Sequence, residues 1–200
     1  MSEQPKGMLT GLSHRLSLRR WSRAARHAKD TQLSTLREQR AAARKLRQKL
    51  DQVIHVADEN VMFTGDIVEY HSACYCGDGY FNEWGDTLDA IKWFDVDAIA
   101  PGRGDALVGK EMVNAAIENT RDFVESTYRP AAKVAARNGS LKEAWDAVRE
   151  ACDPKFSDYA IYEHCLPFNV SRAYDEARGI EHPRIWTAQR DIEMWEALQG

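Results

Sequence analysis

The residue with the clearest capacity for chemistry is Asp66, which follows a short apolar run at residues 61–64 and opens a loop rich in Gly, Cys and Tyr. In layered α/β folds, ligands collect at the ends of strands because neighbouring loops diverge there and leave a cleft. A carboxylate in that place can bind a divalent metal ion or act as a general base. A lone aspartate after a strand is more often a turn residue, so both interpretations stay open.

Three further residues lie in loops that the same cleft could include. His71 and Tyr75 belong to the loop after Asp66, where contact with a substrate is one interpretation and an ordinary solvated loop is the other. Arg103 lies in the tight loop Pro-Gly-Arg-Gly at residues 101–104. Its guanidinium has no lone pair for a metal, but it could hold a carboxylate or phosphate through two hydrogen bonds.

The elements that position these residues can be predicted from hydrophobic spacing. Residues 52–56 and 61–64 are predicted as a hairpin with an acidic turn, and residues 97–100 as a further short strand. Ser140 and Glu143 form a predicted capping box. The helices are predicted at residues 81–94, 106–136, 140–151, 158–178 and 187–199. This order indicates the α/β class with a helical C-terminal extension.

Charge divides the chain into two predicted segments. Residues 1–50 hold 13 Lys and Arg against 3 Asp and Glu, whereas residues 51–200 hold 14 against 28. The first segment is predicted to be helical from about residue 30, with a narrow apolar stripe. It is interpreted as an exposed amphipathic helix or as an arm for nucleic acid or an anionic surface. Nucleic acid is the less favoured partner because aromatic residues do not alternate with the basic ones.

Composition argues against a membrane-spanning protein and against a secreted one. No run approaches the roughly 18 apolar residues that a membrane helix needs, so no membrane span is predicted. Residues 1–29 lack the apolar core of a secretory signal. Cys74, Cys76, Cys152 and Cys165 show no C-x-x-C spacing, and they are interpreted as reduced thiols of a cytoplasmic protein.

From about residue 58 to residue 200, the sequence resembles the C-terminal half of metallo-β-lactamase-fold hydrolases. The run Asn-Val-Met-Phe-Thr-Gly-Asp at residues 60–66 is similar to the family's strand followed by T/S-G-D. A helix with a Trp near its start, a short strand and Pro-Gly-x-Gly follow in the family's order. Residues 161–175 also resemble one bacterial branch of that family. The resemblance implies a partial αββα sandwich and an enzyme that hydrolyses an ester, thioester or lactam of a small-molecule substrate.

The resemblance also implies a metal centre, with two departures. Family members bind two zinc ions, which the residue matching Asp66 bridges. The family's His in the Pro-Gly-His-Gly loop is replaced here by Arg103, and no His-x-His-x-Asp-His cluster lies upstream. His164 is therefore interpreted either as a metal ligand that replaces the missing His or as a buried histidine that braces the helices.

The missing first half of the family fold leaves three expectations about function. The chain is a truncated zinc-dependent hydrolase with impaired activity, a catalytically inactive remnant, or a binding protein that uses its basic arm. A half sandwich also exposes one face of its sheet. A homo-oligomer that covers this face is a further expectation.

Overall fold

The strands of the computed structural model, which describes residues 53–184 and 186–199, form one small mixed sheet in the order β1-β2-β3-β4. β1 (Ile54–Val56) and β2 (Val61–Gly65) pair in antiparallel fashion, so the predicted hairpin is confirmed. Its turn ends at Asn60, which has a φ of 50° and donates its backbone N–H to the Ala57 carbonyl. Asparagine tolerates this left-handed conformation better than most residues.

The remaining strands are shorter and differ in direction. β3 (Ala98–Pro101) pairs with β2 in parallel, and β4 (Leu107–Val108) pairs with β3 in antiparallel fashion. The parallel β2 and β3 are joined by helix α1 (Phe81–Trp93). β2 and β3 therefore end at the same edge of the sheet, and the loops after both strands leave from that edge.

Four further helices follow the sheet: α2 (Lys110–Ala136), α3 (Leu141–Phe156), α4 (Tyr162–Ala177) and α5 (Ala188–Gln199). The predicted capping box is confirmed at the start of α3, where Ser140 accepts from the Glu143 N–H and Glu143 accepts from the Ser140 N–H. The long helix predicted from residue 106 begins only at Lys110. The reason is that Leu107 and Val108 pair with β3 instead.

Helix α2 contributes to both hydrophobic cores of the described residues. Its N-terminal half, including Val113 and Ile117, packs with the inner face of the sheet and with α1. Its C-terminal half, including Phe123 and Val134, packs with α3, α4 and the loop after β2. Because one continuous helix spans both cores, α2 fixes the sheet relative to the C-terminal helices.

The outer face of the sheet is apolar and exposed. Ile54 lies opposite Phe63 on the neighbouring strand, and both are largely exposed, as is Val108 on β4. Their neighbours in sequence point the other way, and Met62 on β2 is fully buried. The sheet is therefore covered by helices on its inner face.

The predicted fold class is wrong: the described chain is not a partial metallo-β-lactamase αββα sandwich. A sandwich packs two sheets face to face between two layers of helices. Here the described residues form a single sheet whose strands have two to five residues, and most of the described residues are helical. Helices α2, α3 and α4 pack mainly on one another, so they form a helical body of their own and not an extension of a sandwich.

Two further expectations concern the basic N-terminal segment and the absence of a membrane span. The predicted basic helix of residues 30–50 and the boundary near residue 50 lie outside the described residues. Over residues 53–184 and 186–199, no helix combines the length and the apolar character needed to cross a membrane.

Candidate functional site

The loops that follow β2 and β3 come together at one edge of the sheet. Asp66 comes directly after β2, and Arg103 is the second residue after β3. The two loops touch at Gly102, whose N–H donates to the Gly65 carbonyl over 2.9 Å. A Cβ at residue 102 would lie only 2.8 Å from Asp66 Oδ1. Glycine is therefore required there for the loops to approach this closely.

Arg103 bridges the carboxylates of Asp66 and Glu69. We call these three residues the carboxylate–arginine cluster. One guanidinium nitrogen, Nη1, lies 2.6 Å from Glu69 Oε1 and 3.3 Å from Asp66 Oδ1. The Glu69 side chain is fully buried, while those of Arg103 and Asp66 are 39% and 59% exposed. The cluster thus runs from the interior to the surface, with Asp66 at its open end.

Glu69 is held in place by helix α2 through its backbone. Its N–H donates to the Thr120 hydroxyl over 3.2 Å, and that hydroxyl lies 2.9 Å from the Glu69 carbonyl. Among the described residues, the second carboxyl oxygen of Glu69, Oε2, has no hydrogen-bond partner. A buried carboxylate oxygen without a partner is costly, which favours the protonated form of the group.

The pKa of Glu69 reflects this position. Burial raises it to about 7, against the opposing charge of Arg103, and the nearby Asp66 carboxyl raises it further. Glu69 therefore gains and loses a proton near neutral pH, whereas most glutamates ionise near pH 4. Paired carboxyls with one strongly raised pKa are typical of acid–base sites, although structural ion pairs can produce the same shift.

The loop that carries Asp66 and Glu69 is anchored at several points. The Trp84 indole N–H donates to the Ile67 carbonyl over 3.1 Å. The buried Asn169 of α4 accepts from the Cys76 N–H over 2.6 Å and donates to the Cys74 carbonyl over 2.8 Å. Since α1, α2 and α4 each hold the loop, the two carboxyls are fixed by tertiary contacts.

His71 and Tyr75 lie in this loop but have other contacts. The His71 ring lies against Tyr70, with ring centroids 4.3 Å apart, and stacks on Tyr159 at 5.7 Å. The Tyr75 ring contacts Phe168 at 5.7 Å, and burial raises the Tyr75 pKa. The contacts found for these two rings in the described chain do not include the carboxylate–arginine cluster. Their predicted role in substrate binding stays a prediction.

His164, the predicted metal ligand, lies next to the buried Cys165 in the first turn of α4. His164 is exposed in the first turn of α4 and contacts Phe168 at a ring distance of 5.7 Å. The next residue, Cys165, is buried, and the charges of Arg103, Glu69 and Asp66 act on the pKa of its thiol. Burial raises the Cys165 pKa. Helix α4 therefore buries Cys165 on its inner side, whereas His164 lies on the surface.

The donors around Asp66 do not fit the two zinc ions that the resemblance implies. Zinc sites use three or four His, Cys, Asp or Glu ligands, and the described residues contain no group of three that could hold a metal ion. Asp66 and Glu69 already contact Arg103, a fixed cation that would repel a second one. Cys74 and Cys76 are buried with raised pKa values, which disfavours the thiolate that zinc needs.

Glu69 and Cys165 are the two members of this site that the sequence did not indicate. Glu69 had one available signal, since it is an acidic residue placed among apolar neighbours just after a strand. Cys165 had none, because its position depends on how α4 packs.

The fold and the site together define a class: a mixed α/β chain with a helical body and a carboxylate–arginine cluster where two parallel strands end. A family model described as a family of unknown function, DUF6478, matches residues 1–69. The match covers about a third of the chain and includes β1, β2, Asp66 and Glu69. Among curated proteins, none matches this chain.

Proposed function

We propose that this chain is a hydrolase that uses the carboxyls of Asp66 and Glu69 as its acid–base pair. The bond it would cleave is an ester, thioester or lactam bond of a small molecule. The observation that supports the proposal is the carboxylate–arginine cluster, in which a buried carboxyl with an unpaired oxygen lies beside an exposed one. The cluster also occupies the edge where α/β proteins bind ligands.

The chemistry assigned to the cluster is general acid–base catalysis of water attack. Asp66, the more exposed carboxylate, removes a proton from a water molecule as its oxygen forms a bond to the substrate carbonyl carbon. The carbonyl electron pair moves onto oxygen and then returns, which breaks the bond to the leaving group. The proton held by the carboxyl pair passes to the leaving group, so the carboxyls are restored.

Arg103 takes the role of positioning residue in this scheme. Its Nη1 contacts both carboxylates and holds them side by side, and its own charge does not change with pH. The near-neutral pKa of Glu69 supplies a group that exchanges protons at the pH where the enzyme works. The proposal needs no metal ion for these steps.

A cytoplasmic location belongs to the same proposal. The four cysteines are free and buried in the described body. Free thiols persist in compartments where glutathione and thioredoxin keep them reduced.

The test is a pH–rate profile with the purified chain on three substrates: p-nitrophenyl acetate, a thioester analogue and a chromogenic β-lactam. We expect hydrolysis of one of them to fall as the pH increases through about 7, because Glu69, the acid that supplies the leaving group's proton, must be protonated. Asp66→Asn should lower kcat by roughly 10²- to 10⁴-fold. Glu69→Gln should remove the inflection near pH 7.

The matched control is Asp105→Asn, an exposed aspartate of the loop that carries Arg103, which should leave the rate unchanged. Chelation with EDTA should also have no effect. A rate lost on chelation and restored by zinc would favour the metal centre that the resemblance implies. Absence of hydrolysis above background on all three substrates would refute the proposal. The cluster would then have the structural role of joining the loops after β2 and β3.

A further inference from the structure

A second candidate site is an open groove between α3, α4 and α5. The groove has a volume of about 670 Å³, within the range of ligand-binding clefts. Met194 of α5 is buried and fixes one wall. The lining is largely apolar and aromatic, and includes Trp145, Pro167, Phe168, Met194 and Trp195.

The lip of this groove exposes large apolar side chains. On α5, Trp195 is 66% exposed and Ile192 is 51% exposed, and their spacing of three residues places them on one side of the helix. Isolated surface hydrophobics need no explanation, but two of them beside an apolar groove form a continuous patch. Such patches mark interaction surfaces.

The Asp and Glu side chains that line the groove give it acidic character. They are Glu163, Asp191 and Glu196, and the lining contains no Lys or Arg. Arg149 neutralises Glu163 through two hydrogen bonds of 3.0 and 3.1 Å. Asp191 accepts from the Trp186 indole, a neutral donor that leaves the carboxylate charge in place. Asp191 and Glu196 therefore give the groove a negative potential.

We propose that this groove binds a basic amphipathic helix of a partner protein. The apolar side chains of such a helix, spaced three and four residues apart, would enter between Phe168 and Trp195. Its Lys and Arg residues would lie against Asp191 and Glu196. The surrounding body favours the same partner, since residues 51–200 carry 28 acidic against 14 basic side chains and attract cations over longer distances.

The negative lining excludes several other occupants. Phosphates, nucleic acids and acidic peptides would bring like charges together at Asp191 and Glu196. The groove is open and its lip extends along α5, which suits an elongated occupant better than a small enclosed one. The inference is independent of the hydrolase proposal, because His164 is the only predicted site residue that lines the groove.

The test uses calorimetric titration of the full chain with two 18-residue model helices. One peptide carries Leu and Lys, and the other has the same Leu pattern with Glu in place of Lys. We expect the Leu/Lys peptide to bind at least tenfold more tightly than the Leu/Glu peptide. Its affinity should fall as salt is added, since part of the attraction is between exposed charges.

Two variants test whether the groove is the binding surface. Trp195→Ala should weaken the Leu/Lys peptide at least tenfold, and Glu196→Lys should reduce its affinity while improving that of the Leu/Glu peptide. The control is Trp93→Ala, a 77% exposed tryptophan of α1 outside the groove, which should bind as the unaltered chain does. Circular dichroism checks that each variant is folded.

The outcomes that would overturn the proposal are distinct. Equal affinity for both peptides would mean that charge does not select the occupant. Unchanged binding by Trp195→Ala would mean that the peptide docks elsewhere on the acidic surface. Binding of a small hydrophobic ammonium ion with no binding of the Leu/Lys peptide would replace the helix by a small-molecule ligand.

Discussion

A carboxyl group removed from water resists ionisation. The Glu69 side chain is removed from water because its backbone is held against α2. The first effect on its pKa is burial, which Arg103 only partly offsets. The native pKa of about 7 lies above the ordinary value of 4.5. Between those two pH values the native chain binds more protons at this group than the unfolded chain does. The contribution of Glu69 to stability is therefore complete below about pH 4.5 and is lost as the pH rises towards 7.

Glu69→Gln provides the test of this pH dependence, because glutamine resembles the protonated glutamate at all pH values. We expect the variant and the unaltered chain to have similar unfolding free energies near pH 4.5. At pH 8 the variant should be the more stable, by on the order of 3 kcal/mol. The measurement is urea unfolding across pH 4.5–8, with the exposed Glu150→Gln as control. Parallel curves for Glu69→Gln and the unaltered chain would show that Glu69 ionises normally.

At the same scale, the sequence indicated some residues of the site and missed others for a physical reason. Asp66 and Arg103 were indicated because each follows a strand, and the structure brings them within 3.3 Å. Glu69 and Cys165 depend on packing against α2 and α4, which no local pattern records. His164 was indicated because histidine is a common metal ligand, but it lies on the exposed side of α4, whereas its neighbour Cys165 is buried.

At the scale of elements, local signals predicted where most helices and strands lie, and distant contacts decided how they end. The capping box of α3 joins residues three apart and was predicted. The start of α1 has no side-chain cap from its own N-cap residue, Tyr80. Its first N–H groups, at Phe81 and Asn82, donate instead to Glu176 of α4, each over 2.9 Å. Glu176 lies about 95 residues further along the chain than the N–H groups that it caps. Local sequence patterns therefore cannot predict this cap.

Glu176→Gln should therefore weaken the junction of α1 and α4. The buried carboxylate also pairs with Arg172 over 2.9 Å, so the change removes a charge that serves two N–H groups and one guanidinium. We expect a loss of about 2–3 kcal/mol, because hydrogen bonds to charged groups are the stronger ones. Urea unfolding measures the loss, and Glu150→Gln should cost less than about 0.5 kcal/mol. A cost for Glu176→Gln equal to that of the control would mean that water caps α1 instead.

At the scale of the whole molecule, the prediction of a sandwich failed although most of its elements were right. The run of strand, Gly-Asp turn, helix, short strand and Pro-Gly loop is the pattern of a single βαβ unit. Such units occur in many α/β architectures, so their residues do not specify how many layers surround the sheet. The long α2, which packs on the sheet at one end and on α3 and α4 at the other, determines the architecture. The length of α2 was predicted from local spacing, but the elements against which each end packs are set by tertiary contacts.

The two faces of β2 provide a test of this architecture on adjacent residues. Met62 is fully buried under α1 and α2, whereas Phe63 points outward and is 48% exposed. Met62→Thr should cost about 2–4 kcal/mol, because it creates a cavity and buries a hydroxyl. Phe63→Thr should cost about 1 kcal/mol or less, and should reduce concentration-dependent light scattering by removing part of the exposed apolar face. Urea unfolding and static light scattering measure the two effects. If Phe63→Thr costs as much as Met62→Thr, the outer face is buried in the native protein and the sheet is covered on both sides.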